Sequence, residues 1–320
     1  MQNRNMDDIK PDLSIVIPTY NEEKNVSPLY QKIRKSVNSL NRIYEIIFID
    51  DGSTDRTFEV IEGIAKVDKK VKIIQFRRNF HKAAVYAAGL EYAKGDIIIT
   101  MDGDLQDNPA EMDKFLEKLE EGYDYVSGWK YLGKGNPYRA WPSKFFNMVV
   151  RIMTKIDLHD FNCPFKGFRN GVVLSEEIYG ELYRFLPVLV SAKGYKIAEV
   201  KIENLPRIHG KSKFGIERFW RGFFDLLTIL FLKKYFKQPL HLFGIIGLAT
   251  SFTGLFTISM LYFLKIIFGI LIQNTPFLFG LSIMAVILGF QFISIGLVSE
   301  LIINLNKKKN DHYCIKKVIN

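Results

Sequence analysis

In the first 130 residues, short apolar runs alternate with segments whose apolar residues recur every three or four positions. The apolar runs predict five β-strands: Leu13–Ile17, Ile43–Ile49, Val71–Phe76, Asp96–Thr100 and Tyr123–Ser127. The segments with helical period lie between them: Val26–Val37, Thr57–Val67, His81–Ala93 and Ala110–Leu119. This alternation predicts a doubly wound, mostly parallel sheet with helices on both faces. Such sheets bind ligands beyond the carboxyl ends of their strands.

The C-terminal part has a different pattern. Leu242–Leu264 and Pro276–Ser299 are runs of 23 and 24 residues without Asp, Glu, Lys or Arg. At ~1.5 Å rise per residue, each run is long enough to cross a ~30 Å hydrocarbon core. We therefore predict two transmembrane helices within residues 240–303, because soluble core helices seldom run so long without a charge. Residues 214–239 mix aromatic and basic side chains, which predicts an amphipathic interfacial helix or, alternatively, a helix packed on the soluble domain.

The formal net charge is +10, and the basic excess borders the two apolar runs. Lys193–Lys237 has 11 Lys or Arg against 4 Asp or Glu, and Leu305–Asn320 has 5 Lys against 1 Asp. The connector between the runs has Lys265 as its single charge. The positive-inside rule thus predicts an integral membrane protein with both flanks in the cytoplasm. Because the basic charge borders a membrane segment, no nucleic-acid partner is expected.

The N-terminal segment and the two cysteines narrow the functional classes further. The segment Met1–Pro11 is polar and contains no apolar h-region, so no signal peptide is expected. The two cysteines, Cys163 and Cys314, are far apart in a chain that faces the cytoplasm, which favours free thiols over a disulfide. Two spans leave few lipid-facing options for a monomer, so a homo-oligomer is compatible with the sequence.

Three of the predicted strands end in acidic loops, which a parallel sheet brings to one edge. The first strand is followed by Pro18-Thr19-Tyr20-Asn21-Glu22, the second by Asp50–Asp55 and the fourth by Asp102-Gly103-Asp104. Two carboxylates around a glycine can hold a hard divalent cation such as Mg²⁺ or Mn²⁺. Such a cation can stabilise a diphosphate as a leaving group. Asp-Gly-Asp is also a common turn, but its place after an apolar strand and beside two acidic loops favours a metal site.

The chain resembles family-2 glycosyltransferases of the GT-A type, and is most similar to their polyprenyl-phosphate glycosyltransferase group, which includes dolichol-phosphate mannose synthases and bactoprenol glucosyltransferases. The resemblance is carried by six segments in the family order: Ile17–Glu22, Ile49–Asp55, Arg78–Lys82, Asp102–Asp107, Asp160–Arg169 and Arg207–Lys213. It implies an N-terminal extension (1–12), a Rossmann-like GT-A domain (13–213), the interfacial segment (214–239), two transmembrane helices (240–303) and a basic cytoplasmic tail (304–320).

For the donor side of the site, the resemblance implies a role for each of seven residues. The nucleoside pocket would be lined by Pro18, Tyr20 and Glu22, and Asp51 would contact the base. Asp102 would touch the ribose and donor sugar or the water shell of the metal, and Asp104 with Gln106 would ligate Mg²⁺ or Mn²⁺. Plainer alternatives stay open: Pro18 and Tyr20 could end a strand, Asp51 could form an Asx turn, and Gln106 could be solvated.

For the phosphate side, the resemblance implies four residues that hold phosphate groups of the donor or acceptor: Lys166, Arg207, Ser212 and Lys213. Arg207 and Lys213 could instead belong to the general basic flank. Two positions depart from the family. A glycine often stands where this chain has His81, and the run from Asp160 to Pro164 matches one branch only. Cys163 is expected to be a small packed residue, because no base-paired thiolate setting is visible.

The implied reaction is the inverting transfer of a sugar from a UDP- or GDP-sugar to a polyprenyl (undecaprenyl or dolichyl) phosphate in the bilayer. A phosphate monoester, with a second pKa near ~6, is largely dianionic at neutral pH and attacks without a general base. Two alternatives stay open. A related membrane transferase with a hydroxyl acceptor would need a base, for which Asp160 is the candidate. A non-enzymatic membrane scaffold is the other, and the intact acidic loops argue against it.

Overall fold

The computed structural model describes residues 10–132, 147–175, 178, 182–206, 239–268 and 276–306. The chain divides into two units, Met1–Leu227 and Thr228–Asn320. The Arg207, Ser212 and Lys213 predictions, and the interfacial segment except Pro239, lie outside the described residues. Most of the N-terminal extension and of the basic tail also lies outside them. The domain boundaries stay predictions.

One seven-stranded sheet forms the centre of the first unit, in the order β3-β2-β1-β4-β6-β5-β7. The strands are β1 (Leu13–Thr19), β2 (Tyr44–Asp50), β3 (Val71–Gln75), β4 (Ile97–Thr100), β5 (Tyr125–Leu132), β6 (Lys166–Arg169) and β7 (Ile197–Glu203). Strand β6 runs antiparallel to both of its neighbours, β4 and β5, and every other pair is parallel. The carboxyl ends of the six remaining strands therefore lie at one edge of the sheet.

Helices cover both faces of this sheet: α1 (Glu23–Ser39), α2 (Thr57–Val67), α3 (His81–Tyr92), α4 (Met112–Glu120) and α5 (Leu186–Ala192). Successive side chains of a strand point to opposite faces, and β1 shows the result. Its Leu13, Ile15 and Ile17 join the core with α1, α2 and α4, whereas Val16 joins the core with α3 and α5. The prediction of a mostly parallel sheet with helices on both faces is confirmed.

The five predicted strands and four predicted helices are all present, with differences at their ends. The largest difference is in β5, which begins at Tyr125 and continues to Leu132, beyond the predicted end at Ser127. Strand β6 had no prediction because its four residues, Lys-Gly-Phe-Arg, have neither a long apolar run nor a clear alternation. The antiparallel insertion between β4 and β5 was therefore not expected.

The described residues of the second unit form two helices, α6 (Pro239–Phe268) and α7 (Pro276–Asn306), both long and apolar enough to cross a membrane. They run antiparallel and pack through small residues. A Cβ atom added to Gly289 would lie 2.6 Å from the carbonyl oxygen of Gly247, and one added to Gly254 would lie 2.6 Å from that of Ser282. Small residues at such contacts let membrane helices approach at backbone distance. Near one end of the pair, Glu300 accepts a hydrogen bond from the Leu240 N–H at 3.3 Å.

Candidate active site

Hydrogen bonds join the loops after β1 and β2 into one wall at the carboxyl edge of the sheet. The Asn21 side-chain oxygen accepts from the Thr54 N–H at 2.8 Å, and the Asn21 N–H donates to Ser53 Oγ at 2.9 Å. Pro18 and Tyr20 are partly exposed at the start of this wall. Glu22 lies there too, and its carboxylate accepts from the Asn25 side-chain amide. The structure thus brings together the three residues predicted to line the nucleoside pocket.

Asp51 connects the end of β2 to the start of α3. One of its carboxylate oxygens accepts from the Phe80 N–H at 2.7 Å and the other from the His81 N–H at 3.0 Å. Burial raises the pKa of this carboxyl group, and the two backbone donors oppose that shift. The local turn bond is made by the neighbouring Asp50, which accepts from the Ser53 N–H at 3.1 Å. Contact between Asp51 and a base stays a prediction.

His81 has a backbone angle that glycine would adopt without strain. Its φ is +69°, in the left-handed region that side chains with a Cβ adopt at a cost. Asn21 and Leu105, with φ of +54° and +64°, share this conformation and belong to loops at the same edge. Strained backbone of this kind persists where the surroundings hold it in place, and it is concentrated at functional sites.

The Asp102-Gly103-Asp104 turn is held by contacts on both sides. Lys82 Nζ lies 2.8 Å from each carboxylate oxygen of Asp102, so the two side chains form a bidentate ion pair. A Cβ atom at Gly103 would lie 2.9 Å from the carbonyl oxygen of Pro18, so only glycine permits this approach to β1. Asp104 is buried, and its carboxylate accepts from the Gln106 N–H at 3.2 Å. The two predicted metal ligands, Asp104 and Gln106, are therefore neighbours in space.

These residues fit a divalent cation of the magnesium type. Among the described residues, no three His, Cys, Asp or Glu side chains form a metal cage. Mg²⁺ sites in phosphate chemistry do not need one, because one or two carboxylates suffice when substrate phosphates and waters complete the shell. The oxygen donors of Asp104 and Gln106 are of the kind that Mg²⁺ and Mn²⁺ prefer. The pairing of Asp102 with Lys82 suits its predicted contact with the water shell or the donor sugar.

An ion pair behind the turn was missed by sequence reasoning. Lys130 Nζ in β5 lies 2.8 Å from Asp107 Oδ1, and the Asp107 side chain is fully buried. Asp107 Oδ2 also accepts from the Asp102 N–H at 3.1 Å. Asp107 raises the pKa of Lys130 despite the opposing effect of burial. The signal that could have found this pair is a lysine inside the otherwise largely apolar strand β5.

Lys166, predicted to hold a phosphate, is 3% exposed at the start of β6, where it pairs in register with Thr100 of β4. Its Nζ lies 3.4 Å from the carbonyl oxygen of Phe161. Burial lowers the pKa of Lys166 to about 8, although Asp160 and Asp102 favour its charged form. Burial also raises the pKa of Asp160. Lys166 therefore stays mostly charged at neutral pH but loses its proton far more readily than an exposed lysine.

Cys163 and Leu205 were not assigned a role in binding or catalysis. Cys163 is a buried free thiol, and burial raises its pKa well above the ordinary value, so it is a packed residue and not a thiolate. The Leu205 N–H donates to the carbonyl oxygen of Gln106 at 3.0 Å. Leu205 precedes Arg207 by two positions in the sequence, so the described chain is tied to the loop of the predicted metal ligands just before Arg207.

Comparison with known proteins places this geometry in context. The family model described as glycosyl transferase family 2 matches residues 14–174. The chain is 32% identical to dodecaprenyl-phosphate galacturonate synthase from Rhizobium johnstonii, over 91% of this chain and 87% of that protein. It is 30% identical to undecaprenyl-phosphate 4-deoxy-4-formamido-L-arabinose transferase from Pseudomonas paraeruginosa, over 90% of this chain and 84% of that protein.

The fold has a counterpart among solved structures. Glucosyl-3-phosphoglycerate synthase from Mycobacterium tuberculosis, crystallised with Mn²⁺, uridine diphosphate and phosphoglyceric acid, matches with a TM-score of 0.52 and 16% identity. The match covers 70% of this chain and 78% of that one. At this level of identity the likeness concerns the fold alone.

Proposed function

The chain belongs to glycosyl transferase family 2, and from this premise we propose that it transfers a sugar from a nucleotide-sugar to a polyprenyl phosphate in the membrane. One observation carries the proposal. Two relatives of about equal similarity, at 32% and 30% identity, are named for different sugars but for the same class of acceptor, a polyprenyl phosphate. The acceptor class is therefore the shared property, whereas the sugar varies between relatives.

The carboxyl edge of the sheet provides the donor site in this proposal. The wall formed by the loops after β1 and β2 takes the nucleoside, with Pro18, Tyr20 and Glu22 beside the base and ribose. Asp104 and Gln106 would hold a divalent cation, which when bound supplies positive charge to the departing diphosphate. Lys82 keeps Asp102 in one orientation through its bidentate ion pair, so the carboxylate is presented to the sugar or to the water shell.

The acceptor needs positive charge more than it needs a base. A phosphate dianion is already a nucleophile at neutral pH, but it must approach a diphosphate that is also negative. Lys166 supplies a cation from β6, and Arg207, Ser212 and Lys213 follow the segment that Leu205 ties to the metal-binding loop. A single displacement by the phosphate oxygen would invert the configuration at the anomeric carbon.

The test offers the purified full-length chain, in detergent or lipid discs, the same isoprenoid chain ending in phosphate or in alcohol. A panel of UDP- and GDP-sugars is supplied with Mn²⁺ or Mg²⁺, and lipid products are identified by mass. We expect product from the phosphate only, with inverted anomeric configuration. Transfer to the alcohol would move the assignment to a hydroxyl acceptor and make Asp160 the residue to test as base. The Asp104→Asn variant controls for contaminating transferases.

We place the catalytic domain and the C-terminal tail on the cytoplasmic side, which rests on the basic flanks and the single charge in the connector. The two apolar helices then cross the bilayer and return. A cysteine introduced near residue 274, in a background without Cys314, should label from the opposite side to one introduced near residue 315. If both positions label from the same side, the two-span arrangement is wrong.

A further inference from the structure

The Asp107–Lys130 ion pair lies directly behind the metal-binding loop. The Asp107 side chain has no exposed surface and that of Lys130 is 19% exposed, so the charges meet away from bulk water, at 2.8 Å. Asp107 belongs to the same loop as Asp102 and Asp104, whereas Lys130 belongs to β5, two strands away from β4 in the sheet. The pair therefore links the loop to a distant part of the sheet.

The stability of the fold gives little reason for this pair. Removing two charges from water is costly, and replacing a buried ion pair by apolar side chains of similar volume is often neutral or stabilising. A buried pair is better explained where its geometry fixes a particular arrangement. Here the second oxygen of Asp107 accepts from the Asp102 N–H at 3.1 Å. One carboxylate therefore binds both Lys130 of β5 and the backbone of the loop.

We propose that Asp107 and Lys130 are positioning residues that hold the Asp102–Asp104 loop in its metal-binding conformation. The inference rests on the proposed function, because it concerns the cation of that same site. Neither residue touches the cation in this proposal. The pair is neutral overall, so it shapes the loop without adding charge behind the metal ligands.

The loop needs such an anchor because its backbone is strained between the two predicted ligands. Leu105, with φ of +64°, lies between Asp104 and Gln106 and occupies the left-handed region with a large buried side chain. Strain of this kind is kept only when the surroundings over-determine the conformation. The Asp102 side chain is held by Lys82 of α3. The Asp102 N–H is held by Asp107, which Lys130 in turn connects to β5. Release of the second anchor leaves the loop free to relax.

The experiment measures cation binding directly, in the full chain with UDP or with GDP present. Mn²⁺ is titrated and the free ion is followed by electron paramagnetic resonance, while the Mn²⁺ requirement of transfer is measured in parallel. The variants are Asp107→Asn, which keeps an acceptor for the Asp102 N–H but removes the charge, together with Lys130→Met, the double variant and the conservative Lys130→Arg. Thermal unfolding of each variant reports whether it is folded.

We expect Asp107→Asn and Lys130→Met each to weaken Mn²⁺ binding about tenfold, with a much smaller change in kcat at saturating Mn²⁺. The double variant should be no worse than the poorer single variant, because both changes remove the same link. Lys130→Arg should restore binding to within about threefold of wild type.

A matched control is available at the other end of the strands. Lys72 pairs with the buried carboxylate of Glu45 in β2, far from the carboxyl edge. Lys72→Met should lower the unfolding temperature and leave Mn²⁺ binding unchanged. Folded Asp107→Asn and Lys130→Met variants with wild-type Mn²⁺ affinity would overturn the inference, as would an equal loss of affinity in Lys72→Met.

The result also separates this inference from the proposed function. If the wild-type chain transfers no sugar to any polyprenyl phosphate but the variants show the expected loss of Mn²⁺ affinity, the positioning role stands and the proposed acceptor is wrong. If transfer proceeds and depends on Mn²⁺ equally in all variants, the acceptor stands and the positioning role is wrong.

Discussion

Replacement of Lys166 by Met should stabilise the protein while impairing its activity. Lys166 is 3% exposed, and burial lowers its pKa from 10.5 to about 8. A difference between 10.5 and about 8 corresponds to roughly 3 kcal/mol of penalty on the charged form in the folded protein. The penalty is fully present below pH ~8, where the folded chain must hold the charge. It declines as the pH rises from the folded pKa towards the unfolded one, because the unfolded state then binds more protons.

The first assay is thermal unfolding of the full-length wild type and Lys166→Met in detergent, at pH 7 and at pH 10. We expect the variant to be more stable at pH 7, by at most about 3 kcal/mol, and most of that advantage to be lost at pH 10. An advantage of the same size at both values would refute the argument, because a packing effect does not depend on pH.

The second assay tests whether the charge of Lys166 serves a phosphate. Since the pKa is about 8, roughly half of the chains carry neutral Lys166 at pH 8. An anion bound beside Nζ favours the charged form, so binding should take up as much as about half a proton. Calorimetric titrations with a short-chain polyprenyl phosphate, in two buffers of different ionisation enthalpy, measure this uptake. Equal proton uptake in wild type and Lys166→Met would exclude contact between Lys166 and the phosphate.

Three further predictions follow from single contacts. Asp104→Asn removes the charge that would face the cation, so transfer should fall by about 3 kcal/mol, or roughly 150-fold, in a saturating-substrate assay with normal membrane insertion. His81→Gly should be more stable than His81→Ala by about 1 kcal/mol, and so unfold at a higher temperature, because glycine adopts the observed φ of +69° without strain. Gly289→Leu should separate the two membrane helices and lower the unfolding temperature, whereas Gly280→Leu, with no atom within 4 Å of the added Cβ, should have little effect.

The five strands and four helices predicted in the first 130 residues were predictable because their signals are local, whereas β6, β7 and α5 had no prediction. The periods of two and of 3.6 residues are present within each segment, and the acidic loops follow their strands directly in the sequence. A parallel sheet then brings those loops to one edge without further information. The antiparallel position of β6 could not be predicted in this way, because it depends on pairing between residues such as Thr100 and Lys166.

The sequence was enough to propose candidate site residues, whose roles stay predictions, but it did not indicate the contacts between them. Asp51 was expected to contact a base or to form a local turn; the base contact stays a prediction, and the carboxylate accepts hydrogen bonds from backbone N–H groups about 30 residues later in the sequence. Asp107 and Lys130 likewise form a contact between residues that are far apart in the sequence. Such contacts require the folded backbone, and motif spacing does not contain them. The left-handed backbone of His81 was not predicted either, although the resemblance implies that a glycine often stands at this position.

The insertion of β6 between β4 and β5 also constrains the order in which the sheet can assemble during synthesis. Strands β3, β2, β1 and β4 can pair as soon as they have left the ribosome, but the outer side of β4 has its partner only when β6 follows. Lys166 comes 66 residues after its register partner Thr100. At roughly 5–20 residues per second, the interval is about 3–13 s. During that time the Ile-Ile-Ile-Thr edge of β4 is open to other chains, which makes this half-built sheet the stage of synthesis at which a chaperone would protect it.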